Sequence, residues 1–262
     1  MKSQRSPILI PILLVGLGTV ILLGNYFLID LQLGGYWPVV LILIGIQVLV
    51  RGDLGMSWQA HSFGITRGGV ESASIEANGG EIDIRLRALR RTGRLIAGQY
   101  TARSRPRLLI RDNHARLILK RGDTWMLSLA DWELEIAPDL PWDMLLSTHL
   151  GEIDVDLRDV QIRQAHIASG IGDVKVICPN RYAGPLHVRS MFGDIQLTIP
   201  KNVPALIRVN SSRLANLSTR GEFHQHATQT NLYATTSYKE GQATLDITVS
   251  ATFGTVVLIA SS

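Results

Sequence analysis

Gly151-Glu-Ile-Asp-Val155, Gly172-Asp-Val-Lys-Val176 and Gly193-Asp-Ile-Gln-Leu197 are three copies of one short pattern, and they stand 21 residues apart both times. Each has a glycine, then an acid, then apolar residues at alternate positions. The segments just upstream also match: Ile167-Ala-Ser169-Gly170-Ile171 before one copy parallels Val188-Arg-Ser190-Met191-Phe192 before the next. A constant period near twenty residues, in units too small to bury their own apolar face, is the signature of a stacked solenoid. From Gly151 to Leu157, Ile153, Val155 and Leu157 alternate with Glu152, Asp154 and Asp156, the pattern of a strand with one buried and one wet face. The expected fold is therefore all-β, a β-helix-like solenoid of about 21-residue coils with three or so short strands in each. A β-sandwich also uses short alternating strands, but it has no reason to repeat at a fixed interval. The register places Ile153, Val174 and Ile195 in one buried stack. Related copies, Gly80-Glu-Ile-Asp-Ile84 and Gly254-Thr-Val-Val-Leu258, read as out of phase with the period.

Working outward, residues 52–262 are expected to form the solenoid, with 141–262 as regular coils and 52–140 as irregular or capping coils. Within the latter, Arg107 to Lys120 reads as two strands around a turn at Asp112-Asn113. Residues 1–51 are of another kind. Residues 8–29 carry no charge, and after Asp30 a second uncharged run, Leu31 to Val50, ends at Arg51. Each is long enough to cross a hydrocarbon core of about 30 Å, so a transmembrane hairpin (8–29 and about 31–50) is expected. No alanine precedes Ala60, which leaves no A-x-A-like cleavage site. Lys2 and Arg5 precede the first run, Arg51 follows the second, and the connecting loop has no basic residue. The positive-inside rule then places the soluble part in the cytoplasm of a multi-pass membrane protein. The single Cys178 has no intramolecular disulfide partner, which is compatible with a reducing compartment.

Charge is concentrated. Of 26 Lys and Arg, twelve fall between Arg85 and Arg121, with Asp112 the one acid among them. Contact with anionic lipid is the first expectation for this stretch, through Arg85, Arg87, Arg90, Arg91 and Arg94, because it follows a membrane segment closely. A solvated strand face comes next. Nucleic acid ranks last, since no nucleic-acid fold signature accompanies the stretch and Tyr100 is its one aromatic.

Motifs for chemistry are absent. There is no nucleophile elbow, no phosphate-binding glycine loop and no dinucleotide fingerprint, so neither an enzyme nor a cofactor is expected. His224-Gln-His226 lacks a neighbouring carboxylate or thiol and reads as a solvated pair, so no metal site is expected. Gly151, Glu152, Gly172, Asp173, Gly193 and Asp194 are read as structural turn residues. Their acids would form a row with a spacing of about 4.8 Å in a parallel stack. Such a row suits either backbone N–H groups or a cation such as Ca²⁺, and the former is the commoner use of Asp beside Gly.

Two segments carry a resemblance. Trp37-Pro38-Val-Val-Leu-Ile-Leu-Ile-Gly45 resembles the membrane segment of LiaF-like proteins. Trp132-Glu-Leu-Glu-Ile-Ala-Pro138, followed by the glycine–acid coils, is similar to the toastrack-type, adhesin-like β-solenoid domain that those proteins carry. The resemblance implies a bacterial membrane protein associated with cell-envelope stress responses, some members inhibiting a sensor histidine kinase. The expected function is a membrane-tethered, non-enzymatic regulator or scaffold whose partner is a sensor kinase or another membrane protein. The alternative is a surface adhesin or glycan-binding module. Nothing in the sequence sets an oligomeric state.

Overall fold

The computed structural model describes residues 60–101, 105–120, 132–181, 184–225, 229–240, 242 and 244–261. The chain divides into two units, 1–53 and 54–262, and every described residue lies in the second. Both expected membrane segments fall outside the described residues. Among the described residues no helix is long and apolar enough to cross a membrane.

The described residues form strands throughout: β1 (Ala60–Thr66), β2 (Ser72–Asn78), β3 (Ile84–Ala88), β4 (Arg94–Thr101), β5 (Arg107–Arg111), β6 (His114–Lys120), β7 (Trp132–Ile136), β8 (Pro141–Leu150) and β9 (Ile153–Asp156). They continue with β10 (Gln161–Ile171), β11 (Val174–Ile177), β12 (Leu186–Phe192), β13 (Ile195–Pro200), β14 (Ala205–Ser211), β15 (Ala215–Arg220), β16 (Phe223–Gln225), β17 (Leu232–Thr235) and β18 (Leu245–Ser261). Strands of one sheet run in parallel in the spatial order β6, β2, β8, β10, β12, β18, β14. The other sheet has the parallel order β7, β3, β9, β11, β13, β18, β15. Each coil thus has two strands, one per sheet, and not three. The long β18 supplies both strands of its coil, turning at Gly254. Antiparallel strands close the stack: β5 on β6 and β1–β4 on β7 at one end, β17 and β16 beyond β14 at the other.

The 21-residue period is the spacing of the three central coils only. Elsewhere the chain lays coils out of spatial order. The coil of β2 and β3 lies between that of β6 and β7 and that of β8 and β9, and β18 is inserted between the coils begun by β12 and by β14. The physical reason lies in which part of a coil the stack constrains. In the five inner coils a first-sheet core residue and its second-sheet counterpart are nine positions apart, as in Ile75 and Ile84, Met144 and Ile153, Ala165 and Val174, Leu186 and Ile195, and Ile247 and Val256, whereas the end coils have fifteen (Leu117 and Trp132) and ten (Ile207 and Leu217). The return to the next coil is free to lengthen, because surface connections tolerate insertion. Gly254 consequently stacks in phase with Gly193 across a long excursion. The Gly80 copy shifts by two residues: Ile84 pairs with Ile153, so Asp83, not Glu81, shares a rung with Glu152.

Alternation puts the core between the sheets. Leu117, Ile75, Met144, Ala165, Leu186, Ile247 and Ile207 form one continuous buried ladder across seven coils. Ile153, Val174 and Ile195 form the matching rungs of the other sheet, each with 0% exposure. Trp142 is fully buried, and its indole N–H donates to the Ala137 carbonyl at 2.8 Å, so its polar atom stays satisfied. The expected hairpin is present, with Asp112 and Asn113 at φ 48° and 62° between β5 and β6. These residue types tolerate left-handed backbone well.

Val174→Asp is expected to destabilise the chain by on the order of 4 kcal/mol, since an unpaired carboxylate would enter a closed apolar ladder. Lys175→Ala, on the outer face, should change stability by less than about 1 kcal/mol. Urea denaturation followed by circular dichroism compares the two, and equal midpoints for Val174→Asp and the unaltered chain would rule out this register.

Candidate functional site: the corner ladder

The turn from the first sheet to the second is the most repetitive part of the molecule. Gly172 and Gly193 have φ values of 139° and 141°. A Cβ on Gly172 would lie 2.1 Å from the Gly151 carbonyl oxygen, and one on Gly193 would lie 2.3 Å from that of Gly172. Only glycine fits a backbone held so close to the coil below. The corner carbonyls also receive a contact from inside. Ser169 donates its hydroxyl hydrogen to Gly151 at 3.2 Å, Ser190 donates to Gly172 at 3.3 Å, and Thr148 donates to Gly80 at 2.9 Å. Each of these hydroxyls is buried, so a hydrogen bond to the corner removes the cost of placing it in the core.

On the outer side, the acids after the glycines tie coil to coil. Asp83 Oδ1 accepts the Glu152 backbone N–H at 2.7 Å, Asp173 Oδ1 accepts that of Asp194 at 2.8 Å, and Asp194 Oδ1 accepts that of Thr255 at 2.7 Å. Glu152, one methylene longer, points instead toward Lys175 Nζ, 3.7 Å from its Oε2. Among the described residues no group of three or more His, Cys, Asp or Glu side chains is arranged to hold a metal ion.

The residues immediately before the glycines are apolar and face solvent. Leu150, Ile171, Phe192 and Phe253 stand in strict register on consecutive coils, and Leu214 follows on the outermost coil. Their exposures run from 36% at Phe253 to 64% at Leu214, and the rings of Phe192 and Phe253 stack with centroids 4.6 Å apart. Scattered exposed apolar residues are ordinary, but here they are aligned into one file. The sequence reading missed this file, although the signal was there: an apolar residue precedes the glycine in four copies of the motif.

The five expected lipid-contact residues do not make one basic field. Arg85 lies between Glu133 and Asp154 on the outer face of the second sheet, with Nη1 3.6 Å from Glu133 Oε1. Arg87 stands opposite Glu135. The Arg158 guanidinium, with a smaller contribution from Arg87, holds the Asp156 carboxyl below its ordinary pKa. The acidic rungs offset the field of Arg85 and Arg87, while Arg90 and Arg91 project into solvent from the turn after β3, and Arg94 lies over Gly64. His224 is exposed on β16, and His226 lies outside the described residues. Cys178 is fully buried, and burial pushes its thiol pKa far up, so its thiolate is not formed at neutral pH. A polar cavity of about 770 Å³ adjoins the far end of the ladder, lined in part by Arg189, Asn210, Ser212, Asn231, Tyr233 and Thr252.

The fold is a two-sheet β-solenoid, and part of the chain is similar to a toastrack-type domain. A family model for the N-terminal domain of toast_rack matches residues 99–199, which include the three 21-residue coils. The structure of a candidate cell adhesion protein from Clostridium sporogenes is similar with a TM-score of 0.69, at 15% identity, over 78% of this chain and 99% of that one. A candidate adhesin from Bacteroides fragilis shows 12% identity over 77% of this chain and 98% of that one, with a TM-score of 0.31. No curated protein matches the chain.

Gly172→Ala is expected to cost about 2–4 kcal/mol, through backbone clash and strain, and Gly69→Ala, in open space, less than ~0.5 kcal/mol. Asp173→Ala should cost about 1 kcal/mol, and Asp173→Asn distinctly less because its Oδ1 still accepts the Asp194 N–H. Unfolding midpoints of the four variants test the corner, and a tolerated Gly172→Ala would contradict it.

Proposed function

We propose that this chain is a membrane-tethered, non-enzymatic regulator or scaffold, and that its solenoid acts by holding a partner protein on the corner ladder. The observation that carries the reading is the file Leu150, Ile171, Phe192 and Phe253, kept in register and in water by a rigid turn. Covering a side chain of this size contributes about 1.5–3 kcal/mol when complete, so a few rungs supply the centre of a specific interface. The turn cannot relax to hide them, because the adjoining glycines are locked against the coil below. Tethering is supported by the two uncharged runs and by the likeness of Trp37 to Gly45 to LiaF-like membrane segments. A partner in the same membrane, such as a sensor kinase, follows from that likeness and from the cytoplasmic side assigned by Lys2, Arg5 and Arg51.

A second reading, a saccharide-binding adhesin, is favoured by the polar cavity, whose amides, hydroxyls, Arg189 and Tyr233 suit a polyhydroxylated ligand. It requires the second unit to face outward.

Benzoylphenylalanine placed at position 192 of the full chain in its native membrane is expected to give a discrete protein adduct on irradiation. The same group at position 158, in a turn after β9, should give none. Identical patterns from both positions, or none from either, would remove the ladder from the proposal. A C-terminal alkaline phosphatase fusion is expected to be inactive, and an active one would transfer the function to the outward-facing adhesin reading.

A further inference from the structure

The exposed file has an asymmetric border. Immediately beside it runs a strip without side chains, made by Gly151, Gly172, Gly193 and Gly254, and beyond that strip lie Asp83, Glu152, Asp173 and Asp194 on four successive rungs. Asp83, Asp173 and Asp194 each use one carboxylate oxygen on a backbone N–H, which leaves their charge in place. The opposite border is not acidic and includes His149, Met191 and Arg213.

Along its central coils the corner offers no free strand edge. The N–H groups of Gly151, Gly172 and Gly193 donate to the carbonyls of Ile171, Phe192 and Phe253 on the next coil, and Ile153 and Val174 are paired likewise. A partner therefore meets side chains and not free backbone groups. Strand addition needs an unpaired edge, whereas a helix satisfies its own backbone. At a rung spacing of about 4.8 Å, the file from Leu150 to Leu214 is about 19 Å long, the rise of roughly 13 helical residues. A strip of that length and about 10 Å wide covers some 200 Å², suited to one helix and well short of the roughly 800 Å² per partner of a standard dimer. The acidic row would repel an anionic lipid surface and attract a cationic border.

We infer that the corner ladder binds an amphipathic α-helix whose apolar face is bordered along one edge by lysine or arginine. This rests on the reading that the ladder is the partner-binding surface. The cationic edge lies over the Asp83–Asp194 row, the apolar face covers Ile171, Phe192 and Phe253, and the glycine strip lets the helix sit close. The charge asymmetry across the file sets the direction in which the helix rolls.

The test uses the full chain in phosphatidylcholine nanodiscs and two labelled 14-residue helical peptides with one apolar face, bordered by lysines in one and by glutamates in the other. Anisotropy is read against empty nanodiscs. The lysine peptide is expected to saturate at one per chain, and the glutamate peptide to bind at least about tenfold more weakly. Phe192→Ser combined with Phe253→Ser should weaken the lysine peptide about tenfold. Both side chains are exposed, and an unchanged unfolding midpoint confirms that this pair folds. Asp173→Asn combined with Asp194→Asn keeps both Oδ1 acceptors, yet should weaken the lysine peptide several-fold and remove much of its salt dependence. Equal binding of both peptides, with the Phe pair still weakening each, overturns the cationic helix and leaves the ladder as a protein-binding surface. Binding indifferent to the Phe pair overturns the inference, and the adduct at position 192 then judges the broader proposal by itself. An adduct of position 192 with phospholipid, or a concentration-dependent dimer lost in the Phe pair, makes lipid or a second copy the occupant and also overturns it.

Discussion

At the corner of each coil the chain passes so near the one beneath that a single Cβ does not fit. The Gly151 carbonyl would stand 2.1 Å from a Cβ on Gly172, and the Gly172 carbonyl 2.3 Å from one on Gly193. The rest of the architecture depends on that approach. It holds successive coils in one register, so Ile153, Val174 and Ile195 meet in the core and the acids after the glycines reach the N–H of the next rung. It also directs the corner carbonyls toward the interior, where Ser169 and Ser190 donate to them. Buried hydroxyls and bare glycines are two sides of one device: both keep the corner backbone satisfied at close range.

The same device explains why apolar side chains stay in water. Two residues separate the inward-facing Thr148, Ser169, Ser190 or Ala251 from the corner glycine, and the second of them projects out. Leu150, Ile171, Phe192 and Phe253 occupy that position. A stack of coils then turns one local geometry into a continuous strip, as repeat architectures do with their binding faces. The outer face of the second sheet differs in kind. There Glu133, Arg85 and Asp154 alternate in sign on adjacent rungs, an arrangement that stabilises neighbours locally and cancels at a distance. Counted along the chain, the arginines between Arg85 and Arg94 look like a basic patch. Counted across the sheet, Arg85 and Arg87 each have an acid beside them.

Legibility divides along the same line. The glycine–acid repeat, the all-β class and the alternation that buries Ile153 while wetting Asp154 could all be read from residue types, because each reports a local condition: a cramped turn, or a strand with one wet face. Three strands per coil was too many, since Val160 and Ile162 belong to the return and to the start of β10 rather than to a third sheet. The Gly80 copy, read as out of phase, stands two residues out of register with the corner, because the residues equivalent to Gly151-Glu152 are Ile82-Asp83.

The sequence by itself determined the local unit: the alternation that buries one face of each strand, the glycine at the turn and the acid after it, all set by short-range sterics and hydrogen bonding. Only the tertiary structure decided the order of coils, with β18 laid between the coils begun by β12 and β14 and the coil of β2 and β3 laid inside that of β6 and β7. Any coil with the same cross-section can stack on any other, so local pattern does not say which neighbours meet. That choice rests on the return connections and on which apolar faces are left to cover, and it also gathers Phe192 and Phe253, 61 positions apart in the chain, into one stacked pair at the surface.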